Sequence, residues 1–261
     1  MSCQTLVVAH DGSDQSTPHT LEYVLHALKA GADIVEVDIR TTKDGVVVLQ
    51  HDAEIAVDGE RLRIIETTFA DLDELQRAGK LMGRTAAGRI TRLSDILGAA
   101  GAHQAVFNLD VKEDAVIDPA VSILKRNDMV DRAIFSGCEF LRARSLKSRH
   151  RNCQVLLNIS DAQYQQVSED PGSFIHSVCS DAAEASCCGV NVRSTHCTRE
   201  LIAYAGLRFL PVSVWTVDDP ESMKHFLHLG VYSITTNCVA RLRQLRTAAS
   251  RSVRGNEPQF R

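Results

Sequence analysis

The sequence lacks any apolar run long enough to span a bilayer. Its first residues, MSCQTLVVAH, offer neither the basic start nor the apolar core of a signal peptide. It also lacks an excess of basic charge, since 29 Lys and Arg stand against 33 Asp and Glu for a net charge of −4. That balance argues against general nucleic-acid binding. We expect a soluble, cytoplasmic protein with no stable membrane insertion.

A C-x-x-C spacing is also missing, although the chain contains eight cysteines. With 261 residues, 44% of them hydrophobic, the chain can build a full core without cross-links. We therefore interpret the cysteines as thiols in a reducing compartment and not as a disulfide framework or a zinc site.

Short β-rich runs alternate with helix-like segments along the chain. The predicted strands are 5–9, 34–40, 105–111, 133–136, 154–159, 189–192, 210–214 and 233–236. The predicted helices are 20–30, 93–99, 119–126, 139–148, part of 162–185, 198–205, 221–229 and 239–248. Eight β-then-α units favour an α/β fold of the (β/α)8 TIM barrel type, although a doubly wound open sheet shows the same alternation with fewer strands.

One segment, 53–90, interrupts this rhythm after the second strand and is interpreted as a small insertion. No linker-like composition or repeat divides the chain. We therefore predict a single domain over 1–249, followed by a polar, flexible tail at 250–261.

The second predicted strand carries two acids on one face. Alternation places Glu36 and Asp38 together, and buried, unpaired carboxylates are costly unless a cation or positive partners accompany them. Asp44-Gly45 reads as a two-residue hairpin turn that folds the chain back and brings His51 towards the acids.

Polar residues also occur at the carboxyl ends of other predicted strands, which form the active face of a barrel. His10 ends the first strand, and Asp110 and Lys112 share a face of the third. Carboxylates from Glu36, Asp38 and Asp110 are hard oxygen ligands suited to one divalent cation, Mg²⁺ or Ca²⁺. A structural layer of ion pairs is the alternative interpretation of these acids.

Two histidines flank this predicted cation site. His10 and His51 suit general acid and general base roles, because an unperturbed imidazole titrates near neutral pH. Lys112 suits a phosphate oxygen, while Trp215 is either a core aromatic or a residue that stacks on substrate. The set indicates cleavage of a phosphodiester.

These residues resemble the glycerophosphodiester phosphodiesterases, from about residue 7 to 237. The motifs that carry the resemblance are His10-Asp11-Gly12, Glu36-Val37-Asp38, Thr42-Lys43-Asp44-Gly45, His51-Asp52, Asp110-Val111-Lys112 and Val214-Trp215-Thr216-Val217. The resemblance implies a barrel with a divalent metal at Glu36, Asp38 and Asp110 and acid/base histidines at His10 and His51. It also implies hydrolysis of deacylated phospholipids to glycerol 3-phosphate and an alcohol.

The chain departs from the family pattern at three places. Asp11 replaces an arginine that binds phosphate in the family. Thr17-Pro18-His19-Thr20 replaces the family's Pro-Glu-Asn-Thr, and Asn237, after the last strand, replaces an aspartate. Asp11 is open to three interpretations: a fourth metal ligand, a partner of Arg40 or Arg193, or a solvated loop acid, which is the default. His19 has no assigned role.

Asp110-Val111-Lys112, together with the lack of an arginine after His10, also resembles the sphingomyelinase D-type phospholipases, which act on choline-bearing lipids and can release cyclic phosphates. The predicted substrate is therefore a small glycerophosphodiester or a lysolipid-type phosphodiester, bound in part through Lys112, Trp215 and Asp11. The alternative hypothesis, motivated by Asp11 and by Pro18-His19, is a catalytically weakened barrel that binds a phosphorylated ligand or partner.

Overall fold

The structure is a computed structural model that describes residues 4–82, 90–100, 104–167 and 170–254. Its strands are β1 (Leu6–Ala9), β2 (Ile34–Thr41), β3 (Val47–Leu49), β4 (Glu54–Val57), β5 (Glu60–Arg63), β6 (Leu81–Met82), β7 (Val106–Val111), β8 (Ala133–Cys138), β9 (Gln154–Asn158), β10 (Gly189–Arg193), β11 (Val212–Trp215) and β12 (Ser233–Thr236). Its helices are α1 (Leu21–Ala30), α2 (Phe69–Arg77), α3 (Leu93–Ala100), α4 (Ile117–Arg126), α5 (Phe140–Arg149), α6 (Asp161–Gln166), α7 (Pro171–Glu184), α8 (Arg199–Leu207), α9 (Pro220–Leu229) and α10 (Val239–Arg254).

Eight of the strands form a closed parallel barrel. They pair in the order β1, β2, β7, β8, β9, β10, β11 and β12, and β12 pairs with β1 to close the ring. Each predicted strand coincides with one of these eight, so the predicted (β/α)8 architecture is confirmed. The open-sheet alternative is wrong because a doubly wound sheet would leave two unpaired edges.

Alternation along the strands separates the core from the barrel interior. On β2, Val35, Val37 and Ile39 are fully buried in the main hydrophobic core, while Glu36 and Asp38 occupy the opposite face. Because the barrel strands run parallel, their carboxyl ends meet at one rim. The polar residues of several strands thus collect at one end of the molecule.

Side-chain caps fix where several outer helices begin. Thr20 accepts a hydrogen bond from the Tyr23 amide at the start of α1, and Asp219 accepts one from the Ser222 amide at the start of α9. Each cap satisfies an amide that has no partner within its own helix.

The predicted insertion forms a small unit beside the barrel. Strands β5, β4 and β6 make an antiparallel sheet, and α2 packs with it around a separate apolar cluster that includes Ile55, Ile64 and Leu72. Part of the predicted segment, 83–89, lies outside the described residues.

The turn between β2 and β3 differs from the predicted two-residue hairpin. Thr42 and Val46 are the closing pair, since the Thr42 amide donates to the Val46 carbonyl oxygen at 3.0 Å. The loop is therefore three residues long and ends at Gly45, whose φ of 81° is left-handed. A three-residue hairpin loop favours glycine at this position.

The C-terminal helix is longer than the sequence pattern indicates. Helix α10 continues to Arg254, past the predicted end at 248. The rest of the predicted tail, 255–261, lies outside the described residues. Within the part of the chain that the structure describes, no helix combines the length and the apolar character needed to cross a bilayer.

Candidate active site

Three carboxylates meet at the carboxyl-end rim of the barrel. Glu36 and Asp38 lie on β2, and the parallel register sets Asp38 beside Asp110 on β7. One carboxylate oxygen from each residue lies within 4.8 Å of the other two. A compact set of oxygen donors of this kind fits Mg²⁺ or Ca²⁺.

Lys112 lies between two of these acids. Its Nζ donates to Asp110 Oδ2 at 2.5 Å and lies 2.8 Å from Asp38 Oδ1. Burial alone would lower the pKa of Lys112, but the carboxylates of Asp110 and Asp38 outweigh that effect and raise its pKa well above the ordinary value. The side chain is therefore a permanent positive charge in the site.

Glu36 is a buried acid that also contacts the loop after β1. Its Oε2 accepts a hydrogen bond from the Asp11 amide at 3.0 Å. Burial, reinforced by the charges of Asp38 and Asp110, raises the pKa of Glu36 well above its ordinary value. A divalent cation would reverse this effect, because it stabilises the charged form of a carboxylate.

Neighbouring residues on β8 position Asp110. Ser136 Oγ donates to Asp110 Oδ1 at 3.1 Å. Next to it, Gly137 has a φ of 67°, and a Cβ at that position would lie 2.5 Å from Asp110 Oδ1. Glycine is needed here both for the backbone conformation and for the space.

His10 is oriented by a residue that follows β12, the strand that pairs with β1 to close the barrel. Its Nδ1 lies 3.0 Å from Asn237 Oδ1. The Asn237 side-chain amide donates to Asp218 Oδ2 at 2.8 Å, so its oxygen is turned towards His10. This arrangement favours a proton on Nδ1 and leaves Nε2 for proton exchange.

His51 reaches the site from the end of the hairpin. Arg40 Nη2 donates to the His51 carbonyl oxygen at 2.8 Å, which anchors the backbone, and Arg40 is itself paired with Glu113. His51 Nδ1 lies 2.8 Å from Asp52 Oδ1, and this hydrogen bond lowers the pKa of Asp52. The His51 ring is largely exposed, with 64% of its side-chain surface accessible.

One cavity of about 140 Å³ brings most of the predicted site residues together. Its lining contains His10, Glu36, Asp38, His51, Asp110, Lys112 and Trp215. The Trp215 ring faces the guanidinium group of Arg193 at 5.7 Å. Further polar groups that line the cavity were not assigned from the sequence: Ser136, Asn158, Asn191, Thr216 and Thr235.

Asp11 lies beside this cavity but is not among the residues that line it. Only 2% of its side-chain surface is accessible, so its default interpretation as a solvated loop acid is wrong. Arg40 pairs with Glu113 and Arg193 with Asp161, so neither arginine is the partner of Asp11. These two interpretations failed because the partner comes from the loop before α1.

That partner is His19, to which sequence reasoning gave no role. Its Nδ1 lies in contact with Asp11 Oδ2, and its amide donates to Asp11 Oδ1 at 2.9 Å. His19 has a φ of 60°, unusual for a residue other than glycine. A signal was present in the sequence, because Asp11 and His19 both lie where the chain departs from the family pattern.

Comparison with known proteins decides the family. The sequence model of the glycerophosphoryl diester phosphodiesterase family matches residues 10–241. The chain belongs to this family. Its members are phosphoric diester hydrolases, which confirms the class of enzyme expected from the residues.

Individual family members match the chain at low identity over most of its length. A glycerophosphodiester phosphodiesterase of Caldanaerobacter subterraneus subsp. tengcongensis is 24% identical over 242 residues, which cover 90% of this chain and 94% of that protein. The crystal structure of a glycerophosphodiester phosphodiesterase from Thermotoga maritima superposes with a TM-score of 0.73 at 22% identity, covering 92% of this chain and 98% of the other.

A second solved structure is an Oleispira antarctica phosphodiesterase in complex with the product sn-glycerol-3-phosphate. It superposes with a TM-score of 0.75 at 18% identity and covers 93% of this chain and 96% of its own. At these identities the structures establish the shared barrel fold.

Proposed function

We propose that this chain hydrolyses a glycerophosphodiester or lysophospholipid-type phosphodiester with the help of Mg²⁺ or Ca²⁺. Attack by water would release an alcohol together with glycerol 3-phosphate, or with lysophosphatidate from a lysophospholipid. Attack by the substrate's own hydroxyl would release the alcohol and leave a cyclic phosphate. One observation carries the proposal: a single cavity contains two histidines, three carboxylates and a lysine. The glycerol 3-phosphate bound by the Oleispira antarctica phosphodiesterase supports this substrate class.

Glu36, Asp38 and Asp110 would hold the cation, since their oxygens are within 4.8 Å of one another. When bound, the cation supplies positive charge for a non-bridging phosphate oxygen. Lys112 already contacts two of these acids, and its charge would bind a second phosphate oxygen.

His10 and His51 would perform the proton transfers. One would take the proton of the attacking water or substrate hydroxyl, and the other would protonate the leaving alkoxide. Asn237 would keep the His10 ring in one orientation, and Asp52 would do so for His51. Trp215 would form part of the wall against which the alcohol binds.

A product spectrum tests the proposal. The purified protein, with Mg²⁺ or Ca²⁺, is incubated with glycerophosphocholine, glycerophosphoethanolamine, glycerophosphoglycerol and lysophosphatidylcholine, and products are identified by ³¹P NMR. Glu36→Gln and Asp110→Asn should abolish turnover, whereas Glu60→Gln, at an exposed site on β5, should not.

Full turnover by Glu36→Gln or Asp110→Asn would refute the assigned cation site. Saturable binding of a phosphodiester without any product from the panel would instead favour a catalytically weakened barrel that binds a phosphorylated ligand.

A further inference from the structure

A second group of possible metal ligands lies directly beside the first. Asp11, His19 and Asp38 each offer one ligand atom within 4.8 Å of the other two, and all three residues are buried. Asp38 belongs to both groups, because it is also one of the three carboxylates of the proposed Mg²⁺ or Ca²⁺ site. The two groups thus share one carboxylate.

The inner atoms of this group lack ordinary hydrogen-bond partners. Asp11 Oδ2 and His19 Nδ1 contact each other without the geometry of a hydrogen bond, and neither atom has another hydrogen-bond partner among the described residues. Their side chains are only 2% and 7% accessible. Because buried polar atoms normally form hydrogen bonds, a cation bound to both atoms would satisfy them better than this contact does.

The net negative charge of this region also favours the binding of a second cation. Four carboxylates (Glu36, Asp38, Asp110 and Asp11) lie close together, and Lys112 forms ion pairs with Asp38 and Asp110. With His19 neutral, one divalent cation leaves a net negative charge. A second divalent cation would make the net charge positive, and a positive site attracts a phosphodiester anion.

We propose that Asp11, His19 and Asp38 bind a second divalent cation, of the transition-metal class that includes Mn²⁺ and Zn²⁺. An imidazole nitrogen with two carboxylates suits these ions better than Mg²⁺ or Ca²⁺, which prefer oxygen alone. Asp38 bridges the two ions; this bridging rests on the proposed function of Glu36, Asp38 and Asp110, whereas binding at His19 does not.

The chemistry follows from the position of the new site. Two metal ions bridged by a carboxylate usually lie about 3.5–4 Å apart and can stabilise both the attacking and the leaving oxygen of a phosphodiester. A cation held by Asp11 and His19 also places positive charge where Asp11 alone would repel a phosphate. The site would therefore extend phosphate binding towards the loop that precedes α1.

Metal counting tests this proposal in the intact protein. Chelator-stripped protein is titrated with Mn²⁺, bound ions are counted from the free-ion EPR signal, and the count is repeated with Zn²⁺ by mass spectrometry. We expect two equivalents in the wild type and one each in His19→Asn and Asp110→Asn. We also expect two in His26→Asn, whose imidazole is exposed on α1.

Exchange coupling between two Mn²⁺ ions in the low-temperature EPR spectrum should be present in the wild type and absent from His19→Asn. Asp11→Asn keeps the shape of the side chain and should also lose one equivalent, which guards against a folding defect in either variant alone. Circular dichroism checks that both variants are folded.

The outcomes separate the two sites. If the wild type binds only one equivalent of metal, and His19→Asn and Asp11→Asn still bind it, the second site is refuted and the first is unaffected. If His19→Asn loses one equivalent of metal and Asp110→Asn loses none, the second site is supported even if the proposed catalytic cation is wrong.

Discussion

His10 and Asn237 meet across the seam where the barrel closes. His10 follows β1 and Asn237 follows β12, and the pairing of these two strands brings His10 Nδ1 to 3.0 Å from Asn237 Oδ1. Asp218 accepts hydrogen bonds from both the backbone amide and the side-chain amide of Asn237, at 2.7 and 2.8 Å. The orientation of His10 therefore depends on a residue at the opposite end of the chain.

Removing this support should impair catalysis more than substrate binding. Asn237→Ala frees the His10 ring, and we expect kcat to fall about tenfold to a hundredfold, because small misplacements of a catalytic group are costly. KM should change little, and the pH dependence of kcat should shift. Asn152→Ala, at an exposed site, is the control. Equal kcat and an equal pH profile in Asn237→Ala and the wild type would contradict the assignment.

The two histidines can be assigned separate roles by changing the leaving group. His10→Ala and His51→Ala should each lower kcat by about 10²–10⁴-fold on a natural diester, the range for loss of a general acid or base. With a p-nitrophenyl diester, whose leaving group needs no proton, the loss should shrink only for the general acid. His228→Ala, exposed on α9, is the matched control. If neither loss depends on the leaving group, neither histidine is the acid.

The barrel and most of the residues that line its cavity could be predicted from the sequence for a simple physical reason. Strand alternation places Glu36 and Asp38 on the inner face, and parallel strands bring their ends to a common rim. The Asp11–His19 pair depends instead on a loop with left-handed residues, where no periodic pattern operates. The hairpin at Gly45 was likewise mispredicted because Asp-Gly is compatible with more than one loop length.

Gly137 should be the glycine at which an added methyl group disturbs the site. Gly137→Ala places a Cβ 2.5 Å from Asp110 Oδ1 and 2.7 Å from the Val111 carbonyl oxygen. Gly79→Ala is a matched control, because Gly79 has a similar φ of 68° but no neighbouring atom within 4 Å. Both variants carry the backbone cost of a left-handed alanine, about 1–2 kcal/mol.

Gly137→Ala should lose about 1–3 kcal/mol more than Gly79→Ala in the free energy of unfolding, as overpacking does. It should also bind the cation more weakly, because Asp110 is displaced. Urea unfolding and cation titration of both variants measure these effects. Equal losses in the two variants would show that the close contact at Gly137 has no energetic consequence.

Glu36 should lower the stability of the metal-free protein at neutral pH. Burial and the charges of Asp38 and Asp110 raise the pKa of Glu36 in the folded state above its ordinary value of 4.5. Between 4.5 and the raised pKa the folded state holds a proton that the unfolded state releases, so the free energy of unfolding decreases as the pH rises through this window. The penalty is absent below both values, where Glu36 is protonated in both states.

Glu36→Gln removes this charge while its side-chain oxygen can still accept the Asp11 amide. In the presence of a chelator, the variant should therefore be more stable than the wild type at pH 7, and the difference should shrink as the pH falls towards 4.5. Urea unfolding at a series of pH values measures this, with Glu60→Gln as an exposed control. Parallel curves for wild type and Glu36→Gln would show that Glu36 carries no such penalty. Added Mg²⁺ or Ca²⁺ should reverse the order, because the cation stabilises the ionised carboxylate of the wild type and gains less from a glutamine.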